Sequence, residues 1–124
     1  MNLFQDEDGS AYAFYLNPSA LSIARLQEGD YTKFAEGTPP QTVSGSVGGS
    51  MEAGIFKHNN QYYMVDSGLR QYAVADSLYG PWSSHPLMMW NGTETTPVGY
   101  HTESSSVLPV PTSQGCTYIH IGDS

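Results

Sequence analysis

The sequence repeats one pattern three times: an apolar strand, a turn, and a second strand that carries tyrosine. The residues that mark the repeats are Phe4 with Tyr12, Phe56 with Tyr62 and Tyr63, and Leu108 with Tyr118. The repeats begin about 50 residues apart, and the first two hold up to four short strands each. Apolar and aromatic runs of this length between turn residues are typical of strands, and no segment has a sustained helical period. The repeat therefore predicts an all-β chain.

A four-stranded repeat of about 40 to 50 residues is typical of a β-propeller blade. The sequence predicts one domain, residues 1–124, with blade-like units at about 1–36, 51–90 and 103–124. That makes about two and a half blades, so the chain is expected to form part of a propeller. Two Gly- and Pro-rich stretches, 36–50 and 86–102, are predicted to connect the units.

The individual strands follow from the positions of the turn residues. Asp8-Gly9 is a strong hairpin signal, since both residues tolerate positive φ. Strands are predicted at 2–5, 11–16, 21–26, 31–34, 53–56, 61–66, 71–75, after 82, 105–110 and 116–121, with a turn at 111–115. Trp82 follows Gly80-Pro81 and is expected in the core.

Charge and composition exclude several classes of function. The net charge is −8, which argues against nucleic-acid binding because such a chain repels phosphates. No apolar run approaches the roughly 18 residues of a membrane span. The N-terminus carries neither a basic segment nor an apolar segment, so no signal peptide is expected. Cys116 is the single cysteine, which excludes an internal disulfide, and it is expected to be a small buried residue.

Four segments resemble the catalytic domain of glycoside hydrolase family 43, and in particular its exo-β-1,3-galactanase branch. The first is the opening strand, acidic turn and strand, MNLFQDEDGSAY. The second is Glu52-Ala53-Gly54-Ile55-Phe56-Lys57 followed by Gln61-Tyr62-Tyr63, similar to the family's E-A-P-x-x-F-K and x-Y-Y. The third is Tyr72 to Ser77 followed by Gly80-Pro81-Trp82, and the fourth is Thr102 to Pro109 followed by Tyr118 to Asp123. The likeness covers nearly the whole chain.

The resemblance implies a five-bladed β-propeller and an inverting glycosidase that hydrolyses β-1,3-galactan, without a cofactor or a metal. The general acid of the family corresponds to Glu52. Glu103 stands where the galactanase branch usually has Gln, the residue that positions or activates water. A carboxylate is a better base than an amide, so Glu52 and Glu103 are candidates for the acid and base pair. The alternative is that this sequence lost its Gln by chance.

The remaining candidate site residues lie in the second connection. Trp90 is a candidate platform for a sugar ring, and Tyr100 and His101 are candidates for substrate binding close to Glu103. The alternative for His101 is an ordinary loop histidine. The resemblance also implies galactan or arabinogalactan side chains as partners, and an extracellular location.

The acidic turn at 6–9 admits two interpretations. Clustered carboxylates suit calcium, but the turn lacks the distal Glu of an EF-hand loop, so a solvated hairpin is the favoured interpretation. The four histidines show no spacing typical of a metal site.

Several features count against activity of this chain alone. Two further carboxylates of the family would lie before Met1, and the aromatic segment that follows the family's Y-Y strand is missing at 67–70. A catalytically incomplete propeller that binds carbohydrate or associates with itself through open sheet edges is therefore the alternative to a hydrolase. A protein-interaction propeller of another family is a third possibility, and it would not need Glu52 or Glu103.

Overall fold

The computed structural model describes residues 1–18, 20–45, 54–65, 71–86 and 103–123, with the backbone alone at 103–105 and 122–123. The described part is all-β, and every pairing between its strands is antiparallel. The strands are β1 (Asn2–Gln5), β2 (Ala11–Leu16), β3 (Leu21–Gln27), β4 (Asp30–Phe34), β5 (Gln41–Thr42), β6 (Gly54–His58), β7 (Gln61–Val65), β8 (Gln71–Ala75), β9 (Ser83–Pro86), β10 (Glu103–Thr112) and β11 (Gly115–Asp123). The described residues contain no helix long and apolar enough to cross a membrane.

The strands form three sheets in chain order. The first sheet has the order β1-β2-β3-β4, with β5 also paired to β3; the second has the order β6-β7-β8-β9; and the third is the hairpin β10-β11. Tight turns explain the hairpins. Gly9 has a φ of 87° between β1 and β2, and Asn59 and Asn60 have φ values of 49° and 61° between β6 and β7. Glycine and asparagine tolerate these left-handed conformations best. The all-β prediction is confirmed.

The segment 36–50, predicted to connect two units, also contributes a strand to the first sheet. Within its described part, β5 pairs with β3 through Ser22 opposite Thr42 and Ile23 opposite Gln41. This edge of β3 is open because β4 pairs with β3 only at Leu26 and Gln27.

The same segment continues into the second sheet. The Trp82 N–H donates to the Ser44 carbonyl at 3.0 Å, and the Ser44 N–H donates to the Tyr79 carbonyl at 3.1 Å. Gly45 forms a parallel bridge with Trp82, and a Cβ at Gly45 would collide with the Trp82 backbone. The connection thus ties the first two sheets together.

The core lies between the first and second sheets. Its largest fully buried side chains are Trp82, Phe14, Ile23 and Met64. Phe4 and Tyr62, one from each sheet, pack at its margin with their rings edge to face and centroids 6.0 Å apart. The predicted core position of Trp82 is confirmed: it is 2% exposed, and its indole N–H donates to the Leu78 carbonyl at 3.0 Å.

The third sheet departs from the sequence prediction in two ways. Residues 111 and 112 continue β10, and the turn shrinks to Ser113 and Gln114, with Thr112 opposite Gly115. Cys116, expected to be buried, is exposed. It lies opposite Pro111 near the tip of the hairpin, beyond the point where Tyr118 contacts the second sheet. Its surroundings are therefore solvent rather than core.

Candidate functional site

Strands β6 and β10 lie side by side and run in the same direction. At the start of β6, a Cβ on Gly54 would meet the Val107 Cγ2 atom at 3.1 Å. Three residues further along β6, the Lys57 carbonyl accepts a hydrogen bond from the hydroxyl of Tyr118, which pairs with Pro109 of β10. The two strands therefore advance together, and their starts lie at the same end.

This arrangement bears on the two candidate glutamates, because Glu103 begins β10 and Glu52 precedes β6 by two residues in the sequence. Glu103 is the first residue of β10. The β10-β11 register shifts by one residue between Ser104 and Ser106, as at a β-bulge. Bulges are frequent beside active sites, where they redirect a strand. Glu52 comes two residues before Gly54 and lies outside the described residues, as do Trp90, Tyr100 and His101.

A groove of about 440 Å³ runs between β1, β6 and the β10-β11 hairpin. Its walls are mainly apolar, with Leu3, Ile55 and Val107 among the lining residues, and Asp6 and Lys57 carry charge at one side. Because β1, β6 and β10 each begin a sheet, the groove follows the first strands of all three sheets.

A charged cluster joins the ends of β1 and β6 beside this groove. The Lys57 ammonium lies 2.9 Å from Asp6 Oδ1 and 3.3 Å from Glu7 Oε2. The Tyr62 hydroxyl donates to Asp6 Oδ2 at 2.5 Å, and Lys57 Nζ lies 5.1 Å from the centre of the Tyr62 ring. The predicted turn at 6–9 is confirmed by the hydrogen bond from the Gly9 N–H to the Asp6 carbonyl. Its interpretation as a solvated turn is wrong for Asp6, whose side chain is 11% exposed.

The protonation equilibria of the cluster follow from these contacts. Partial burial raises the pKa of the Asp6 carboxyl, but hydrogen bonds from Tyr62 and Lys57 outweigh it, so the pKa lies below its usual value. The hydrogen bond to Asp6 raises the pKa of Lys57. Burial, and then the hydrogen bond to Asp6, raise the pKa of the Tyr62 hydroxyl. Asp6 and Lys57 are therefore both charged near neutral pH, which suits an ion pair between two sheets better than proton transfer.

Sequence reasoning missed this cluster, although its parts were visible. Asp6 and Lys57 belong to separate quoted segments, and the chain has only four basic residues. Lys57 and the acidic turn at 6–9 were expected in neighbouring sheets. Their opposite charges could therefore have predicted the ion pair.

Tyr118 anchors the third sheet on the second. Its ring lies against Phe56, with centroids 4.9 Å apart. Its hydroxyl lies 2.9 Å from the Lys57 carbonyl and 2.9 Å from His58 Nδ1. Since the hydroxyl proton goes to the carbonyl, the His58 ring N–H donates to the Tyr118 oxygen. Among the described residues, no group of three or more His, Cys, Asp or Glu side chains is arranged to hold a metal ion.

Several solved structures of glycoside hydrolases are similar to this chain. A GH43 β-1,3-galactosidase matches with a TM-score of 0.74 and 26% identity, over 98% of this chain. A putative exo-β-1,3-galactanase from Bifidobacterium bifidum matches with a TM-score of 0.69 and 27% identity, also over 98% of this chain. The chain resembles the enzymes of glycoside hydrolase family 43. It spans 26% of the first of those chains and 42% of the second.

The likeness extends to other family 43 enzymes at lower identity. A GH43_1 enzyme from Xanthomonas citri, solved with xylose, matches with a TM-score of 0.57 and 16% identity, over 96% of this chain and 54% of its own. At that identity the match concerns the fold alone. No protein-family model matches the sequence, and no curated protein matches it.

Proposed function

We propose that this chain is part of a family 43 glycoside hydrolase that cleaves β-1,3-linked galactan with inversion at the anomeric carbon. The observation that carries the proposal is the match to a β-1,3-galactosidase and a putative exo-β-1,3-galactanase over 98% of the chain. The three sheets would then be successive blades of a five-bladed propeller. Their first strands would line its central channel, which the groove along β1, β6 and β10 supports.

In this proposal Glu52 is the general acid and Glu103 assists the attacking water. An inverting glycosidase needs two carboxyl groups about 6.5 to 9.5 Å apart, one to protonate the leaving oxygen and one to activate water. The common direction of β6 and β10 supports such a pair, because Glu52 precedes β6 by two residues and Glu103 begins β10, so both positions belong to the same end of the two strands. Trp90, Tyr100 and His101 are proposed to bind the sugar, since Tyr100 and His101 closely precede Glu103 in sequence. An extracellular location is proposed together with this function, because the proposed substrate is a plant-type polysaccharide of the cell surface.

Release of galactose from β-1,3-galactan tests the proposal. Because several features count against activity of this chain alone, we expect the purified chain to release galactose weakly or not at all. Any release should fall by about 100-fold or more in Glu52→Gln and in Glu103→Ala, whereas Glu103→Gln places the residue of the galactanase branch at that position. Glu28→Gln is the matched control, because Glu28 lies in the turn between β3 and β4 and should leave the rate unchanged. Proton NMR of the first product should show α-galactose. β-Galactose as the first product, or full activity in Glu52→Gln, would contradict the proposal.

A second candidate function rests on the length of the chain, which covers less than half of the two galactan-acting structures it matches. A chain of this extent is proposed to bind galactan without cleaving it. Affinity electrophoresis in gels with and without β-1,3-galactan separates the two functions. Retardation of a folded chain that releases no galactose favours the binding function, and the absence of both retardation and release rejects the two together.

A further inference from the structure

Gly54 is a glycine in a strand, a place that few glycines favour. It begins β6 and pairs with Val65 of β7. A glycine in a strand loses more backbone entropy than other residues and packs no side chain, so its presence calls for a reason. Backbone conformation is not the reason, because Gly54 is not one of the glycines with positive φ. A residue with a side chain could adopt the same backbone.

The reason lies in the space above its Cα atom. A Cβ on Gly54 would lie 3.1 Å from Val107 Cγ2, 3.5 Å from the Val107 nitrogen and 3.6 Å from the Ser106 carbonyl carbon. The first distance is tighter than an ordinary contact, and the other two show that the backbone of β10 itself lies across Gly54. Glycine in a strand often marks such a close approach of a second backbone.

This contact lies close to both candidate glutamates along the chain. Gly54 follows Glu52 by two residues, and Ser106 follows Glu103 by three. The register shift of β10 falls between Ser104 and Ser106, on the stretch that joins the contact to Glu103. The spacing of β6 and β10 at Gly54 therefore acts on the positions of both glutamates.

We propose that Gly54 is a positioning residue: its missing Cβ lets β10 lie close against β6 and so sets the separation of Glu52 and Glu103. The inference rests on the proposed function, in which these two residues form the acid and base pair. A side chain at position 54 would push Val107 outward and lengthen that separation. An inverting mechanism works over a range of about 6.5 to 9.5 Å between the carboxyl groups, so the strand spacing matters to the chemistry.

The anchor at Tyr118 determines how β10 would respond to a side chain at position 54. The Tyr118 ring lies 4.9 Å from that of Phe56, and its hydroxyl donates to the Lys57 carbonyl at 2.9 Å. Tyr118 is opposite Pro109, so the anchor holds β10 two residues beyond Val107. With that point fixed, a displacement at Val107 tilts β10. The displacement grows with distance from the anchor, in the direction of position 103.

Cross-linking between positions 52 and 103 tests the proposal, in a full-length Cys116→Ser chain that carries Glu52→Cys and Glu103→Cys. We compare a bifunctional thiol reagent whose spacer is about 8 Å with one whose spacer is long and flexible. Gly54→Val should lower the rate of internal cross-linking by the short reagent about threefold or more relative to the long one, because a spacer that cannot span two sites gives a low effective concentration.

The matched control for this change is Ser83→Val. It places the same side chain on β9, the strand of the second sheet furthest from β6, and Ser83 is exposed. The ratio of the two cross-linking rates should be unchanged. Gly54→Ala makes a smaller change than Gly54→Val and should give a smaller decrease. It also serves as the test where Gly54→Val does not fold.

Rescue by a second substitution separates positioning from a general loss of structure. Val107→Ala added to Gly54→Val should restore the ratio, since it removes the methyl group that the new side chain meets. Leu108→Ala is the matched control for the rescue. Side chains alternate along a strand, so Leu108 lies on the other face of the hairpin and its truncation should restore nothing.

The outcomes distinguish this inference from the proposed function. A parent chain that forms no internal cross-link would overturn the proposed pair of glutamates and, with it, the role of Gly54. A parent chain that cross-links, with a ratio unchanged in the folded Gly54 variants, would overturn the role of Gly54 alone. A lowered ratio that Val107→Ala does not restore would do the same.

Discussion

The contact between the first and second sheets differs in kind from the contact between the second and third. Between the first two sheets lies a closed core, with Phe14 and Met64 both at 0% exposure. Among the described residues, the third sheet meets the second through Tyr118 on Phe56 and Val107 beside Gly54, and its Leu108 and Ile119 remain about half exposed. The first contact buries apolar area, and the second fixes a position by ring packing and hydrogen bonds.

The difference indicates which part of the chain supplies most of the folding free energy and which part carries the candidate site. Burial of large apolar side chains is the main source of folding free energy, so the first two sheets should act as one cooperative unit. Among the described residues, no buried core side chain belongs to the hairpin, which carries Glu103 and lies along the groove. The candidate site is therefore at the boundary between a stable part and a weakly held part of the protein.

The largest expected effect comes from the closed core. Phe14→Ala should lower the free energy of unfolding by about 3 to 5 kcal/mol, because it removes a fully buried ring between the first two sheets. Phe34→Ala is the matched control, since Phe34 is 52% exposed and its loss should cost less than about 1 kcal/mol. Urea unfolding followed by circular dichroism measures both. Equal losses in the two variants would contradict the comparison.

A smaller and local effect is expected at the anchor of the hairpin. Tyr118→Ala should abolish hydrogen-exchange protection in β10 and β11 while the protection of β2, β3 and β7 persists. Tyr118→Phe keeps the ring on Phe56 and removes the bonds to Lys57 and His58, so its effect should be intermediate, about 1 kcal/mol. Tyr31→Phe, on an exposed tyrosine of β4, serves as control. Loss of protection throughout the chain in Tyr118→Ala would show that the hairpin belongs to the cooperative unit.

The smallest expected effect is the acid response of the ion pair between β1 and β6. The pKa of Asp6 is lowered in the folded chain, so its stabilising contribution is present above its unfolded value of about 3.9 and is lost as the pH falls through the folded value. Stability measured from pH 6 downward should therefore fall less steeply in Asp6→Asn than in the parent chain. If the stability of Asp6→Asn fell with pH as steeply as that of the parent chain, Asp6 would not contribute to the acid response.

Much of the fold was predictable because local signals decide it. The strands at 2–5, 11–16 and 71–75 have the bounds predicted, and the first two are followed by turns that contain Gly9 and Asn17. The role of the segment at 41–45 was not predictable, because β5 pairs with an edge of β3 that β4 leaves open, and this depends on tertiary pairing. The exposure of Cys116 was missed for a similar reason. Cysteine is buried on average, but Cys116 lies near the tip of a two-stranded hairpin, where no core surrounds it.

The candidate site was predictable only through family resemblance. Nothing in the composition distinguishes Glu52 or Glu103 from the other acidic residues. The Asp6 and Lys57 pair depends on contacts between residues 51 positions apart, which periodicity does not report. The roles of Glu52, Glu103, Trp90, Tyr100 and His101 stay predictions.

The central proposal is that positions 52 and 103 lie close together, at the end where β6 and β10 both begin. A bifunctional thiol reagent with a spacer of about 8 Å tests it, in a Cys116→Ser chain that carries Glu52→Cys and Glu103→Cys. The account predicts an internal cross-link within one chain, seen by mass spectrometry, and none for the control pair Glu28→Cys and Glu103→Cys. A doubly labelled chain without the internal cross-link would contradict the account.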